Sequence, residues 1–219
     1  MTNDLFLRQR LPHGHCVVLR FGERFDWSYL LTEGETQFAS TLHERRRVSF
    51  IAGRAALRLA LRDAGCEAGD LLPTERGGPQ VPTGFVGSIS HKDALAVGLA
   101  EVAGGQTCGV DLELERVTRP DISRHVLTDD ELEADSRLPD DERLRTLLLR
   151  FSIKEAIYKA IDPFLGRYVG FKEVRANPQA SGCTAIEMRL PASEPQLIVE
   201  ARWERFGDAV LATARAGLA

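Results

Sequence analysis

FVGSISH (Phe85–His91), ALAVGLA (Ala94–Ala100) and CGVDLEL (Cys108–Leu114) follow one another closely, separated by polar or glycine-rich turns. Short apolar or alternating runs bounded by turn residues are the pattern of strands. Just upstream, RGGPQVPTG (Arg76–Gly84) is too rich in glycine and proline to hold regular structure. Before that loop, Phe38, Leu42, Phe50, Leu57 and Leu61 fall at helix-compatible spacings, which predicts a helix over 35–64 closed by Gly65. The segment up to Leu30 mixes short apolar runs with turn residues and assigns itself to no element. Downstream, Thr128 followed by Glu131 forms a capping-box pattern. A longer helix is predicted over 142–161, stopping at Asp162-Pro163 because proline disfavours helix in the residue before it. Further strands are expected at 171–175, 184–190, 197–203 and 209–213. Helix-then-strands thus occurs twice. It predicts an α/β (α+β) fold of two similar subdomains, 1–112 and 113–219, with largely antiparallel strands in one compact unit around a cleft. No internal repeat is evident from the residues.

The 219 residues suit one large domain or two small, tightly packed halves. A hydrophobic fraction of 43% and a charged fraction of 27% are ordinary for a folded chain. A net charge of -4 argues against broad nucleic-acid binding, which needs a basic surface, and leaves room for a local basic pocket. Cys16, Cys66, Cys108 and Cys183 are far apart and form no CxxC pair, so no zinc site is expected and a reducing compartment suits them. With no secretory leader and no stretch of membrane-spanning length, a cytoplasmic protein with no membrane partner is expected. GxxxxGK[ST], GxGxxG and HExxH are missing. His13 and His15 read as loop residues.

In GVDLELE (Gly109–Glu115), strand alternation puts Asp111 and Glu113 on one face and Val110, Leu112 and Leu114 on the other. Two neighbouring carboxylates repel unless a positive group lies between them, and a hard divalent cation is one such group. A solvated outer face would give the same pattern. In FSIKEAIYKAI (Phe151–Ile161), Glu155 and Lys159 share a helix face with Lys154 beside them, which suits metal and phosphate but equally an ordinary surface ion pair. SISHKD (Ser88–Asp93) places His91 at the end of a strand. Arg45, Arg46, Arg47, Arg54 and Arg58 lie on the first long helix and Arg76 lies in the loop. Their forked donors match phosphate oxygens, and a solvated cationic face is the ordinary alternative.

Taken in order, SISH, GVDLE and FSIKEAIYK resemble the signature of the 4′-phosphopantetheinyl transferases, in particular the surfactin-type and enterobactin synthetase component D subgroup. RRRVSFIAGRAALRLAL and RGGPQVPTGFVGS resemble the N-terminal half of that subgroup, so the resemblance spans 45–171. It implies two α/β subdomains related by a pseudo-twofold, with coenzyme A between them. It also implies Mg2+-dependent transfer of phosphopantetheine to a serine of an acyl or peptidyl carrier protein, with release of 3′,5′-ADP. By resemblance, Asp111, Glu113 and Glu155 are the magnesium carboxylates. Lys154, Lys159 and His91 contact phosphates of coenzyme A, and Arg46, Arg54 and Arg76 surround its 3′-phosphate and adenosine end. Glu155 and Lys159 are both candidates to accept the serine proton. Val126, Leu127 and Leu132, within 117–138, are expected near the carrier, or else in the core of a short helix. The sequence departs from the family at Gly77-Gly78-Pro79, where Gly-Lys-Pro is common, and at Phe151, where Trp is common. A monomer suffices for this reading, and secondary-metabolite or siderophore synthesis is the implied setting. The rival functions are a metal-dependent phosphohydrolase and a non-catalytic relative that binds coenzyme A or carriers.

Overall fold

The structure, a computed structural model, describes residues 5–115 and 121–219. Its first half opens with a hairpin of β1 (Leu5–Leu11) and β2 (Gly14–Arg20), in the segment whose sequence pattern assigns no element. Two helices follow, α1 (Glu33–Ser40) and α2 (Glu44–Asp63), then strands β3 (Phe85–Lys92) and β4 (Leu95–Val102). These strands form an antiparallel sheet in the order β1-β2-β4-β3. The second half contains β5 (Gln106–Leu114), the short helices α3 (Ser123–Val126) and α4 (Asp129–Asp135), and the long helix α5 (Asp140–Leu165). It ends with a β6 (Val174–Pro178) and β7 (Thr184–Met188) hairpin, then β8 (Leu197–Phe206) and β9 (Ala209–Leu218). Its main sheet has the antiparallel order β5-β9-β8.

The layers are set by which residues each strand turns to which side. Val17, Leu19, Ala96 and Ala100 face α2 and pack on Ala56, Leu57, Ala60 and Leu61. The opposite faces of the same strands, through Cys16, Val18, Val97 and Leu99, meet Cys108, Val110, Leu112 and Leu114 of β5. On the far side, Val210, Ala212 and Ala214 of β9 pack on Ile153, Ile157 and Ala160 of α5. Helix, sheet, sheet, helix is the result, with the two sheets back to back. α4 and α5 begin 96 residues after α1 and α2 respectively, so a helix pair followed by antiparallel strands recurs in the second half.

Three expectations shift. The first helix divides at 41–43, where the Ser40 and Thr41 hydroxyls donate to the carbonyls of Gln37 and Phe38 and so cap the last turn of α1. α5 runs through Pro163 to a left-handed Gly166 (φ 60°), because a proline in the last turn forfeits a single backbone bond. The expected junction at 112/113 falls inside β5, which pairs along its length with β9; β5 belongs wholly to the second sheet. Residues 117–120 of the expected carrier region lie outside the described residues. Within the rest, Val126 and Leu127 are buried with Leu147, and Leu132, Phe151 and Phe171 pack against them. They serve as a small core, not as an open docking face.

Candidate active site

β5 turns Val110, Leu112 and Leu114 into the seam between the sheets and Asp111 and Glu113 toward α5. Both carboxylates are buried, 5% and 6% exposed, so the reading of a solvated outer face does not hold. Gly109 makes this proximity possible: a Cβ there would lie 2.0 Å from the carbonyl oxygen of Ala156 on α5. The close helix carries Lys159 over the carboxylates. Its ammonium donates to Asp111 Oδ1 at 2.8 Å and to the Val110 carbonyl at 2.9 Å. From the first half, β3 contributes every second side chain. Ser88 Oγ accepts from the Val110 amide at 3.1 Å, Ser90 Oγ donates to Asp111 Oδ1 at 2.8 Å, and Lys92 Nζ lies 3.0 Å from Glu113 Oε2.

The electrostatics are those of an acidic cluster kept from water. Burial pushes the Glu113 carboxyl up to about 8, with Asp111, Glu155 and Asp93 adding to the rise and Lys159 opposing it. The Lys92 contact does not reverse that direction. Burial, then the charge of Asp111, also raises Glu155, which places its carboxylate in the same group. His91 stands on the other side of β3, where loss of water, then the charges of Arg46 and Lys159, lower its pKa.

Oxygen donors from three mutually repelling carboxylates suit a hard divalent cation. Asp111 Oδ2, buried with no hydrogen-bond partner, is the orphaned acceptor such an ion would satisfy. Among the described residues no three ligating side chains converge tightly enough to hold an ion as they stand. Lys159 and Lys92 occupy that neighbourhood instead, so an incoming cation displaces lysine contacts. The chemistry of the donor set fits a cation, and the lysines set the terms of its entry.

The remaining basic residues divide. Arg46 is exposed near His91. Arg54 and Arg58 do not form a solvated phosphate-binding face. Arg54 is buried over the Phe50 ring and donates to the Leu71 carbonyl, with burial lowering its pKa to about 10. Arg58 is buried against Glu35 at 2.7 Å. Arg76 grips Asp162 through two nitrogens and the Gly166 carbonyl at 3.1 Å, tying the loop of the first half to the end of α5. Lys154 leaves the carboxylates altogether. Only 2% exposed, it donates to Glu131 at 2.6 Å, Val126 at 2.9 Å and Phe171 at 3.2 Å. Beside Glu155 an apolar slot opens between α5 and the following segment, lined by Tyr158, Ile161, Tyr168, Val169 and Phe171.

Ser90 and Lys92 escaped the sequence reading although they lie inside SISHKD. Period-two alternation from Ser88 would have placed both on the face opposite His91. His13 is likewise no loose loop residue. It is buried against Thr213 of β9 at 3.0 Å, and burial lowers its pKa to about 4.

Residues 34–101 match the family model of the 4′-phosphopantetheinyl transferase N-terminal domain, and residues 107–214 match that of the 4′-phosphopantetheinyl transferase superfamily. The chain belongs to the 4′-phosphopantetheinyl transferase superfamily. The second matched segment begins inside β5, where the second sheet begins. Among curated superfamily members, the chain is 34% identical over 138 residues to 4′-phosphopantetheinyl transferase Npt of Nocardia iowensis, covering 59% of this chain. It is 31% identical over 163 residues to 4′-phosphopantetheinyl transferase Svp of Streptomyces mobaraensis, covering 71%. It spans 58% and 65% of the lengths of those two relatives. Among solved structures, a holo-(acyl-carrier-protein) synthase from Bacillus anthracis in complex with CoA is 18% identical with a TM-score of 0.43, over 51% of this chain and 96% of that one.

Proposed function

We propose that this superfamily member moves phosphopantetheine from coenzyme A to a serine of an apo acyl or peptidyl carrier protein, releasing 3′,5′-ADP. The observation that carries the reading is the approach of Ser90 and Lys92 from the first half to Asp111 and Glu113 of the second, beside Glu155 and Lys159, with His91 on the other face of β3 close enough to feel the charges of Lys159 and Asp111. The serine oxygen forms a bond to the phosphorus that carries pantetheine. The bond from that phosphorus to the oxygen shared with the adenylate breaks, and the electron pair leaves on 3′,5′-ADP.

Asp111, Glu113 and Glu155 would hold Mg2+, which supplies charge neutralisation for the pyrophosphate when bound. Lys159, Lys92 and His91 line the path of the phosphates, and the first two are freed to donate to them once their carboxylates are otherwise engaged. Arg46 stands beside His91 for the 3′-phosphate. Arg76 reaches ligand only by leaving Asp162. Glu155 is the better-suited acceptor of the serine proton, because Lys159 is already donating to two oxygens. The apolar slot beside Glu155 fits the pantetheine arm in chemistry. One chain supplies both sides of the site, so a monomer is sufficient. Among the described residues no helix is long and apolar enough to cross a membrane, and we assign the protein to the cytoplasm, where coenzyme A and carriers meet.

Intact-mass spectrometry of apo carriers incubated with the protein, coenzyme A and magnesium tests this. A gain of one phosphopantetheine, lost on chelation, is expected. No gain across acyl and peptidyl carriers despite coenzyme A binding would replace the reading with a non-catalytic relative, and no binding at all would favour a phosphohydrolase.

A further inference from the structure

Thr32, Glu35 and Arg58 stand 96 residues ahead of Thr128, Glu131 and Lys154. Each threonine caps a helix and each glutamate closes that helix's capping box. Each pair is buried, Arg58 with Glu35 and Lys154 with Glu131. The partners match as well. Arg58 donates to Glu35 at 2.7 Å and to the carbonyls of Ala68 at 2.5 Å and Gly69 at 2.9 Å. Lys154 donates to Glu131 and to the carbonyls of Val126 and Phe171. Each glutamate then accepts a backbone amide from beyond its long helix, Leu71 at 2.8 Å and Ala176 at 2.7 Å.

In the first half this arrangement has no reactive neighbours. The residues 96 positions before Glu155 and Lys159 are Leu59 and Asp63, and Asp63 pairs with Arg8 on the surface. The cation–glutamate fastening therefore belongs to the fold, independent of any phosphate. Charge accounting agrees: an ammonium has three N–H donors, and Lys154 commits all three to protein oxygens.

We propose that Lys154 and Glu131 are a positioning pair for the transfer reaction. They pin the Val126 and Phe171 segments to α5 one residue before Glu155, fixing the wall of the Glu155 slot, and Lys154 makes no contact with coenzyme A. This rests on the transferase reading above and replaces the phosphate-contact role implied for Lys154 by family resemblance. Lys154, Glu155, Gly170 and Phe171 line one slot, so the fastening and the reactive carboxylate share a surface.

The test compares wild type with Lys154→Arg, Lys154→Met and the double variant Lys154→Met/Glu131→Leu, measuring melting temperature, kcat, and KM and Kd for coenzyme A. Lys154→Arg, which installs the cation used in the first half, is expected to keep kcat within about threefold. Lys154→Met removes the hydrogen-bonded cation from the buried Glu131, leaving only Arg150 Nε at 4.0 Å, and should melt earlier, with kcat lower by about a hundredfold and KM for coenzyme A within about twofold. The apolar double variant relieves the buried charge but leaves the Thr128 and Ala176 amides without their acceptor, so it should regain only part of the melting temperature while kcat stays low, since neither new side chain can hold the Val126 and Phe171 carbonyls. Failure of Lys154→Met to fold is also what loss of the fastening predicts, and the other two variants then decide. A rise of about tenfold or more in KM for coenzyme A at unchanged kcat would restore Lys154 as a phosphate ligand and overturn the proposal. Recovery of both stability and kcat in the double variant would reduce the pair to a purely structural one and overturn it too. If wild type transfers nothing to any carrier, only the transferase reading falls; a Kd for coenzyme A unchanged in Lys154→Arg and the double variant would still uphold the absence of a phosphate contact, and a weakened one would refute it.

Discussion

Glu113 couples the site to pH. Its folded pKa of about 8 lies above the ordinary 4.5, so the folded protein holds this proton more tightly than the unfolded chain between those values. Its contribution to stability is complete below about 4.5 and is lost as pH rises through about 8. A divalent cation must displace the same proton, so its affinity moves the other way. Calorimetric titration with Mg2+ or Mn2+ should show affinity rising by up to about tenfold per pH unit between pH 6 and 8 and then levelling, with the slope removed in Glu113→Gln. Glu155→Gln and Asp111→Ala are expected to abolish transfer while circular dichroism stays that of wild type; normal turnover by either would remove these residues from the reaction. The acids and Lys159 were legible because alternation in a strand and i,i+4 spacing in a helix are local rules. Lys154 and Arg54 misled because the sequence around a cation does not say whether its charge meets a ligand, a distant buried glutamate, as for Lys154, or a backbone carbonyl and an aromatic ring, as for Arg54. Their burial is a tertiary fact.

Elements hold these residues in place through one close approach. β5 and α5 meet at Gly109, where there is no room for a methyl group against the Ala156 carbonyl. Gly109→Ala should therefore push strand and helix apart, separating Asp111 and Glu113 from Glu155 and Lys159. Thermal unfolding should report a loss of about 3 kcal/mol, and transfer should drop further than stability alone explains. Strands β3, β4 and β5, the Thr128 capping box and the long second helix were all readable, since each carries its own pattern and boundary. The β1–β2 hairpin was not, because its short runs earn their burial only against β4 and β5. The passage of α5 through Pro163 also defied local rules, since packing on β9 outweighs one missing backbone bond. The 96-residue repeat was not readable: its only sequence trace is T-x-x-E followed 23 residues later by a cation, and the cation is Arg58 in one half and Lys154 in the other while the intervening residues differ.

The whole molecule is two halves joined through the back-to-back sheets and by a clasp on the surface. The clasp is Arg76 on Asp162, both partly exposed, and such pairs are worth up to about 1 kcal/mol. Asp162→Asn should leave the melting temperature within about 3 °C of wild type. By releasing Arg76 it should also tighten coenzyme A binding, by up to about fivefold if the full strength of the pair is recovered. Isothermal titration would show this, and unchanged affinity would remove Arg76 from the ligand's surroundings.

The repeat also fixes how many ligands one chain can take. A pair of identical halves would present two equal acidic seams. Here the residues 96 positions before Asp111 and Glu113 are His15 and Val17 of β2, and the edge of that strand is covered by β1. One seam has kept or gained the acids, and its twin is chemically silent. Coenzyme A should saturate the protein at a stoichiometry of one, along a simple hyperbola with a Hill coefficient of one, because a chain with a single seam has no second site to cooperate with.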